Sequence, residues 1–312
     1  MKKLNIDTLS VSEICLGAMN FGSTTAKEDA YRVLDAFLDM GGNFIDTSNN
    51  YAHWVPGCTG DESETLLGEW LKERGCRDKV VLATKVGFDR KGVGAGLKKE
   101  QITYWIEQSL KKLGTDYIDL YYAHSDDMNT PQEESLAAFD SLIRQGKVRV
   151  LGASNFDTWR LAEANMVAKS QGLSPYSVMQ QRFSYLFSKS DVAPKYLFNE
   201  YTSRERLRFL ADKNMPLVTY SCLLKGGYEN PARMPEEYIA GERYEALLHM
   251  AKEKGVSPSA LVVAWLRNVH RCPGFPTVLP LFSVSSIAHL EENCKGASLS
   301  LSDEELAILN KA

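Results

Sequence analysis

Residues 117–155 read YIDLYYAHSDDMNTPQEESLAAFDSLIRQGKVRVLGASN. The stretch opens on an apolar and aromatic run, YIDLYYAH (117–124), and closes on a β-branched run, VRVLGASN (148–155). Between them, residues 132–144 carry apolar side chains at helical spacing. Thr130-Pro131 reads as a cap and a first-turn proline, and Gly146 follows the last turn. Two runs apolar on both faces, joined by a helix, make a strand-helix-strand unit with parallel, doubly covered strands.

The unit recurs along the chain. Runs of strand type lie at 13–22, 43–47, 80–85, 117–124, 148–155, 177–183, 216–221 and 277–283. Helical spacing fills 27–40, 62–73, 99–112, 132–144, 157–170, 203–213 and 242–268, the last split near Ser257-Pro258, and Gly114 marks another helix end. Eight alternating units predict an α/β fold, a (β/α)8 TIM barrel, with an open doubly wound sheet as the alternative. Residues 1–12 read as a hairpin closing the barrel floor, and SSIAHLEENCKG and LSDEELAILNKA as two extra C-terminal helices. No linker, charge block or repeat divides residues 1–312, so one domain is expected. Insertions at 53–61, 86–98 and 184–202 each follow a strand, where barrel enzymes keep substrate loops.

Composition narrows the function. The chain has 312 residues, 44% hydrophobic and 24% charged, with a formal charge of -4, which gives no electrostatic case for nucleic acid or an anionic membrane. The start, MKKLNIDTLSVSE, has no apolar h-region, and a cytoplasmic protein with small-molecule partners is expected. Six scattered cysteines without a C-x-x-C pair and five histidines without metal spacing point to reduced thiols and no metal. The glycines of VGAG (93–96) lack phosphate-loop spacing and read as a loop.

In a parallel barrel all strands end at one mouth. The second run, NFIDT, ends near Asp46, the third, VVLATK, on Lys85, and the fourth on His124, while Tyr51 follows Asp46 by five residues. A phenol has a pKa of about 10 and donates poorly at neutral pH. A neighbouring ammonium favours the phenolate, and a carboxylate holds the ammonium in place. The expected roles are Tyr51 as general acid, Lys85 as its tuner, Asp46 as partner of Lys85 and His124 as the donor orienting a carbonyl. Such a set delivers a proton, and another group must supply the hydride. Singly, each residue is as readily a cap, a snorkelling lysine or a core histidine.

The motifs LGAMNFG, GGNFIDTSNNYA, LATK, LKKLGTDYIDLYYAH, GKVRVLGASNF and HLEEN, in this order, resemble the aldo-keto reductase family over essentially the whole chain. The resemblance implies a barrel that binds an extended nicotinamide cofactor, NAD(P)H, without a Rossmann domain. It implies that Asp46, Tyr51, Lys85 and His124 are catalytic. It assigns cofactor contacts to Met19 and Asn20 in LGAMNFG, to Ser154, Asn155 and Gln180 at the carboxamide, and to Tyr220 stacked on the nicotinamide ring. Ser221 and Leu223 would pass under the pyrophosphate, and Ser283, Ser285, His289, Glu292 and Asn293 would surround the adenosine half. His53 and Trp54, in the insertion after Tyr51, are expected in the substrate wall or as anchors of that loop.

Two departures from the family pattern stand out. Residues 282–289, FSVSSIAH, hold no lysine or arginine for a 2'-phosphate, which favours NAD(H) over NADP(H), with Lys225 or Arg233 as the other source of charge. Ser221-Cys222 stands where many members have Ser-Pro. The expected activity interconverts an aldehyde, ketone or sugar-like carbonyl and its alcohol, with a hydroxyl-bearing substrate favoured by the polar mouth loops. The alternatives are an NAD-dependent alcohol or sugar dehydrogenase working oxidatively, and a nicotinamide-binding redox-sensing subunit. The substrate and the oligomeric state are not legible.

Overall fold

The computed structural model describes residues 1–90, 94–189, 201–238 and 240–311. The elements run β1 (Lys3–Ile6), β2 (Leu9–Ser12), β3 (Cys15–Gly17), α1 (Lys27–Asp39), β4 (Phe44–Asp46), α2 (Glu62–Arg74), β5 (Val81–Val86), α3 (Lys99–Leu113), β6 (Ile118–Ala123), α4 (Gln132–Arg144) and β7 (Val148–Ser154). They continue with α5 (Thr158–Gln171), β8 (Tyr176–Arg182), α6 (Arg204–Asp212), β9 (Leu217–Tyr220), α7 (Glu242–Lys254), α8 (Pro258–Asn268), β10 (Val278–Phe282), α9 (Ile287–Ser298) and α10 (Asp303–Lys311). Each of the eight runs read from the sequence supplies one strand of a closed barrel, in the order β10-β3-β4-β5-β6-β7-β8-β9. The fold is the expected (β/α)8 barrel with an antiparallel N-terminal hairpin, β1 with β2. No helix among the described residues is long and apolar enough to cross a membrane. Of the expected loop insertions, residues 91–93 (which include Val93 of VGAG) and 190–200 lie outside the described residues.

The chain forms two compact units, Lys2–Met179 and Gln180–Ala312 with Met1. In the first, the hairpin is fastened at Ser12, whose Oγ accepts the amides of Asn43 (3.1 Å) and Phe44 (3.2 Å) and donates to the carbonyl of Ile14 (2.7 Å). These bonds fall at the beginning of β4, so the hairpin sits at the N-terminal ends of the strands, on the floor side. Leu16, Phe44, Ile45, Leu82, Ala83, Leu120 and Ala153 are buried to 0% exposure. Strands without an exposed face explain why their sequences do not alternate. Gly114 ends α3 in the left-handed conformation at φ 62°.

One helix start differs from expectation. Pro131, at φ -54° and ψ 136°, is the cap of α4, and its carbonyl accepts the amides of Glu134 and Ser135. Thr130 lies one residue too early to cap, and its hydroxyl donates to Asp127 Oδ2 at 2.6 Å. The free groups at a helix N-terminus are amide donors, so the proton of this hydroxyl goes to the carboxylate.

In the second unit, β9 and β10 pair in parallel, Leu217 opposite Val278. The expected break between helices falls where predicted. Gly255 ends α7 at φ 62°, and Ser257 Oγ accepts the amide of Ala260 with Pro258 in the first turn of α8. The buried Arg243 donates to the carbonyls of Tyr185 (2.7 Å) and Leu309 (2.6 Å), fastening α7 to α10 and to the segment after β8.

Candidate active site

The first unit carries the four expected catalytic side chains. Registers place Asp46 of β4 opposite Ala83 of β5, and Lys85 of β5 opposite Tyr122 of β6. Parallel strands finish on the same side, so Asp46, Lys85 and His124, the residue after β6, share one end. Tyr51 arrives through a turn in which Ala52 adopts φ 72°.

Lys85 Nζ donates to Asp46 Oδ1 (2.5 Å), to the carbonyl of Thr47 (2.7 Å) and to Tyr51 Oη (2.6 Å), and Tyr51 Oη lies 3.3 Å from Asp46 Oδ1. Asp46 and Lys85 are both at 0% exposure. Burial lowers the pKa of Lys85, and the Asp46 carboxylate opposes that shift. His124 is fixed by its amide, which donates to the carbonyl of Val86 at 2.7 Å, and by its Nδ1, 3.1 Å from Ser48 Oγ. Its ring centre lies 6.0 Å from Tyr51 and 4.4 Å from Phe88. Burial, with the nearby Lys85 charge, holds the imidazole pKa well below its ordinary value, so the ring is neutral at pH 7.

The other expected residues of this unit divide. Asn155, just after β7, adopts φ 57° and donates its amide to the carbonyl of His124 (2.9 Å) and to Ser154 Oγ (3.0 Å). Trp54 is exposed, its ring centre 6.4 Å from Tyr51. His53 Nδ1 lies 2.9 Å from the carbonyl of Asn50, a bond that anchors the loop. Met19 is exposed, and the carbonyl of Asn20 accepts the amide of Thr25 and the hydroxyl of Ser23 in a tight turn.

The remaining candidates lie in the second unit. Gln180 is buried in β8, and Tyr220 ends β9 half-buried, its phenol pKa raised by burial. Ser221, Leu224 and Lys225 all have φ near +50°, three non-glycine residues in the left-handed region within five positions. Leu223 lies among them. Cys222 anchors this segment through its Sγ, which donates to the carbonyl of Leu281, and through its carbonyl, which accepts from Ser184 Oγ at 2.6 Å. Ser286 caps α9, Ser283 is half-buried and Ser285 is exposed. His289 is exposed and Asn293 half-buried. Glu292 is engaged by Lys295 (2.5 Å) and by the amide of Ser257 (3.2 Å).

The sequence reading misses Ser48 and Phe88. The available signal is TSNN (47–50), four polar residues that are all buried and therefore need partners. Thr47 pairs with Ser63 Oγ at 2.7 Å, and Ser48 bridges His124 and Asn50.

The description "Aldo/keto reductase family" matches residues 13–312. The chain is 31% identical to a norsolorinic acid reductase of Emericella nidulans, over 96% of this chain and 77% of that protein. It is 31% identical to an aryl-alcohol dehydrogenase of Pestalotiopsis microspora, over 97% of this chain and 79% of that protein. A probable aryl-alcohol dehydrogenase of Saccharomyces cerevisiae is also 31% identical, over 94% of this chain and 88% of that protein. A closed barrel of eight parallel strands and a family match over nearly every residue agree: the chain belongs to the aldo/keto reductase family and is an oxidoreductase of carbonyls and alcohols.

Proposed function

We propose that the protein interconverts an aryl aldehyde or ketone and its alcohol, with a nicotinamide cofactor and with Tyr51 as the proton donor and acceptor. The observation that carries this reading is the buried chain from Tyr51 Oη to Lys85 Nζ (2.6 Å) to Asp46 Oδ1 (2.5 Å). An ammonium in contact with a phenol favours the phenolate, so Tyr51 releases its proton to a developing alkoxide and retrieves it from an alcohol. Asp46 opposes the burial of Lys85 and fixes where its ammonium points. His124, neutral and tied through Nδ1, has Nε2 left for the substrate oxygen.

These side chains hold and move protons, and none of them accepts or gives a hydride. The donor set therefore fits a nicotinamide cofactor, which supplies the hydride when bound. Asn155, with Ser154, Gln180 and Tyr220, would hold the nicotinamide end. Ser221 and Leu223 would hold the pyrophosphate in the left-handed segment, where backbone strain of this kind accompanies ligand contact. Met19, Asn20, Ser283, Ser285, His289, Glu292 and Asn293 would complete the set. The lack of lysine and arginine from 283 to 289 favours NAD(H).

Phe88, Trp54 and His53 near Tyr51 and His124 favour a flat aromatic substrate, in keeping with the aryl-alcohol names of two relatives. The same names and NAD use favour oxidation of the alcohol as a second reading of direction. Tyr51→Phe tests the mechanism. Turnover of an aryl aldehyde with NADH should fall by roughly 10²–10⁴, the range for loss of a general acid, while NADH affinity measured by fluorescence stays within about twofold. A variant with near-normal turnover would refute Tyr51 as the proton carrier.

A further inference from the structure

Ser48 links two side chains between which only one proton pattern can hold at a time. Its Oγ donates to Oδ1 of Asn50 at 2.8 Å and lies 3.1 Å from Nδ1 of His124. Ser48, Asn50 and His124 are 0%, 3% and 8% exposed, so water does not stand in readily for the bonds that join them through Ser48. The main chain of Asn50 is held separately, its carbonyl accepting the amide of His53 at 3.2 Å. The amide of its side chain is therefore the part free to turn.

A neutral imidazole has one N–H and one bare nitrogen, and a serine hydroxyl has one proton to give. When Ser48 donates to Asn50 Oδ1, it can only accept from His124. The imidazole proton is then on Nδ1, and Nε2 carries a lone pair. Turning the Asn50 amide end for end reverses the chain, since Nδ2 then donates to Ser48, Ser48 donates to Nδ1, and the imidazole proton sits on Nε2. The two ends of an amide are nearly equal in size, so both patterns fit the same space. The exchange removes one proton from Nδ1 and adds one to Nε2 through solvent, with no net change of charge.

The two patterns present different chemistry to a substrate. Nε2–H binds a carbonyl oxygen, whereas a bare Nε2 opposes it and accepts the O–H of an alcohol. We propose that Asn50 is a positioning residue that, through Ser48, selects which nitrogen of His124 carries the proton, and so whether the site offers a donor to a carbonyl or an acceptor to an alcohol. The proposal rests on the reading of His124 as the substrate-facing imidazole.

The test needs neither cofactor nor turnover, so its result is independent of Tyr51→Phe. Protein labelled with ¹⁵N-histidine gives long-range ¹H–¹⁵N spectra that separate protonated from bare ring nitrogens, with His124→Gln assigning the signal. The wild type should show His124 protonated at Nδ1. Asn50→Leu, or the smaller Asn50→Ala if the leucine variant does not fold, removes the acceptor and frees the Ser48 proton for Nδ1. Its spectrum should show His124 protonated at Nε2. The same tautomer in wild type and in a folded Asn50 variant would overturn the proposal. A tautomer change caused by Asn50→Leu that persists in a Ser48→Ala background would overturn it too, because the link runs through Ser48.

Discussion

Lys112 Nζ on α3 lies 2.6 Å from Glu64 Oε2 on α2, a carboxylate at 0% exposure. The pair meets by charge, off the line of an ordinary hydrogen bond. The other oxygen of Glu64 accepts the hydroxyl of Thr84 at 2.7 Å, and Thr84 precedes Lys85 on β5. Asp61 also contacts Lys112 at 2.8 Å and pairs with Arg90. This network supports the strand that carries the proposed tuning lysine.

Removing one partner of a buried pair leaves an uncompensated charge, at a cost of about 3–5 kcal/mol. Lys112→Met should therefore lower the unfolding free energy by that amount. The double variant Glu64→Gln, Lys112→Met should recover much of the loss, since no charge is then stranded. Urea titrations measure both, and a loss below about 1 kcal/mol in the single variant would show that the pair is solvent-screened.

Two glycines should respond to alanine against the order that local propensity suggests. Gly68 lies inside α2, where alanine is worth about 1 kcal/mol more than glycine. Yet a methyl there would overlap the carbonyl of Lys112 and come within 2.9 Å of Leu113 Cα, both main chain of α3. Gly68→Ala should destabilise by about 2–3 kcal/mol through overpacking. At Gly114, with φ 62° and nothing within 4 Å, alanine should cost only the left-handed conformation, about 1 kcal/mol. Thermal unfolding of the two variants would rank them.

His124 makes stability depend on pH. Its folded pKa is depressed by burial and by the Lys85 charge, so above about 6.5 neither state binds a proton there. Below that value the unfolded chain takes up a proton that the folded protein refuses, and stability falls with pH. The slope is at most about 1.4 kcal/mol per pH unit. Between pH 7.0 and pH 5.5 the wild type should lose about 1 kcal/mol more than His124→Gln. Equal losses in urea titrations of the two proteins would mean that the ring is protonated when folded.

Cofactor choice is open to a gain-of-function test. Ser285 is exposed in the stretch that lacks lysine and arginine. Ser285→Arg should tighten NADPH binding about tenfold, the effect of one added charge-assisted contact of about 1.4 kcal/mol, and leave NADH nearly unchanged. No gain in a fluorescence titration would place the 2'-phosphate elsewhere.

The sequence by itself determined the architecture, because barrel strands are buried on both faces and read as unbroken apolar runs, while the helices between them keep a 3.6-residue period. It also brought Asp46, Lys85 and His124 to one end, since parallel strands with crossover helices cannot end otherwise. The helix break at Ser257-Pro258 was legible for a local reason, as cap and proline chemistry acts over three or four residues. Thr130 was misread because the cap position falls one residue later, on Pro131, while the threonine hydroxyl turns to Asp127, whose carboxylate also accepts the amide of Leu97. Only the tertiary structure decided that Gly68 must be glycine, that Glu64 has its charge partner on the next helix, and that Ser48 stands between His124 and Asn50. Each of these depends on distances between side chains or backbones set by packing, and no periodicity within one segment encodes them.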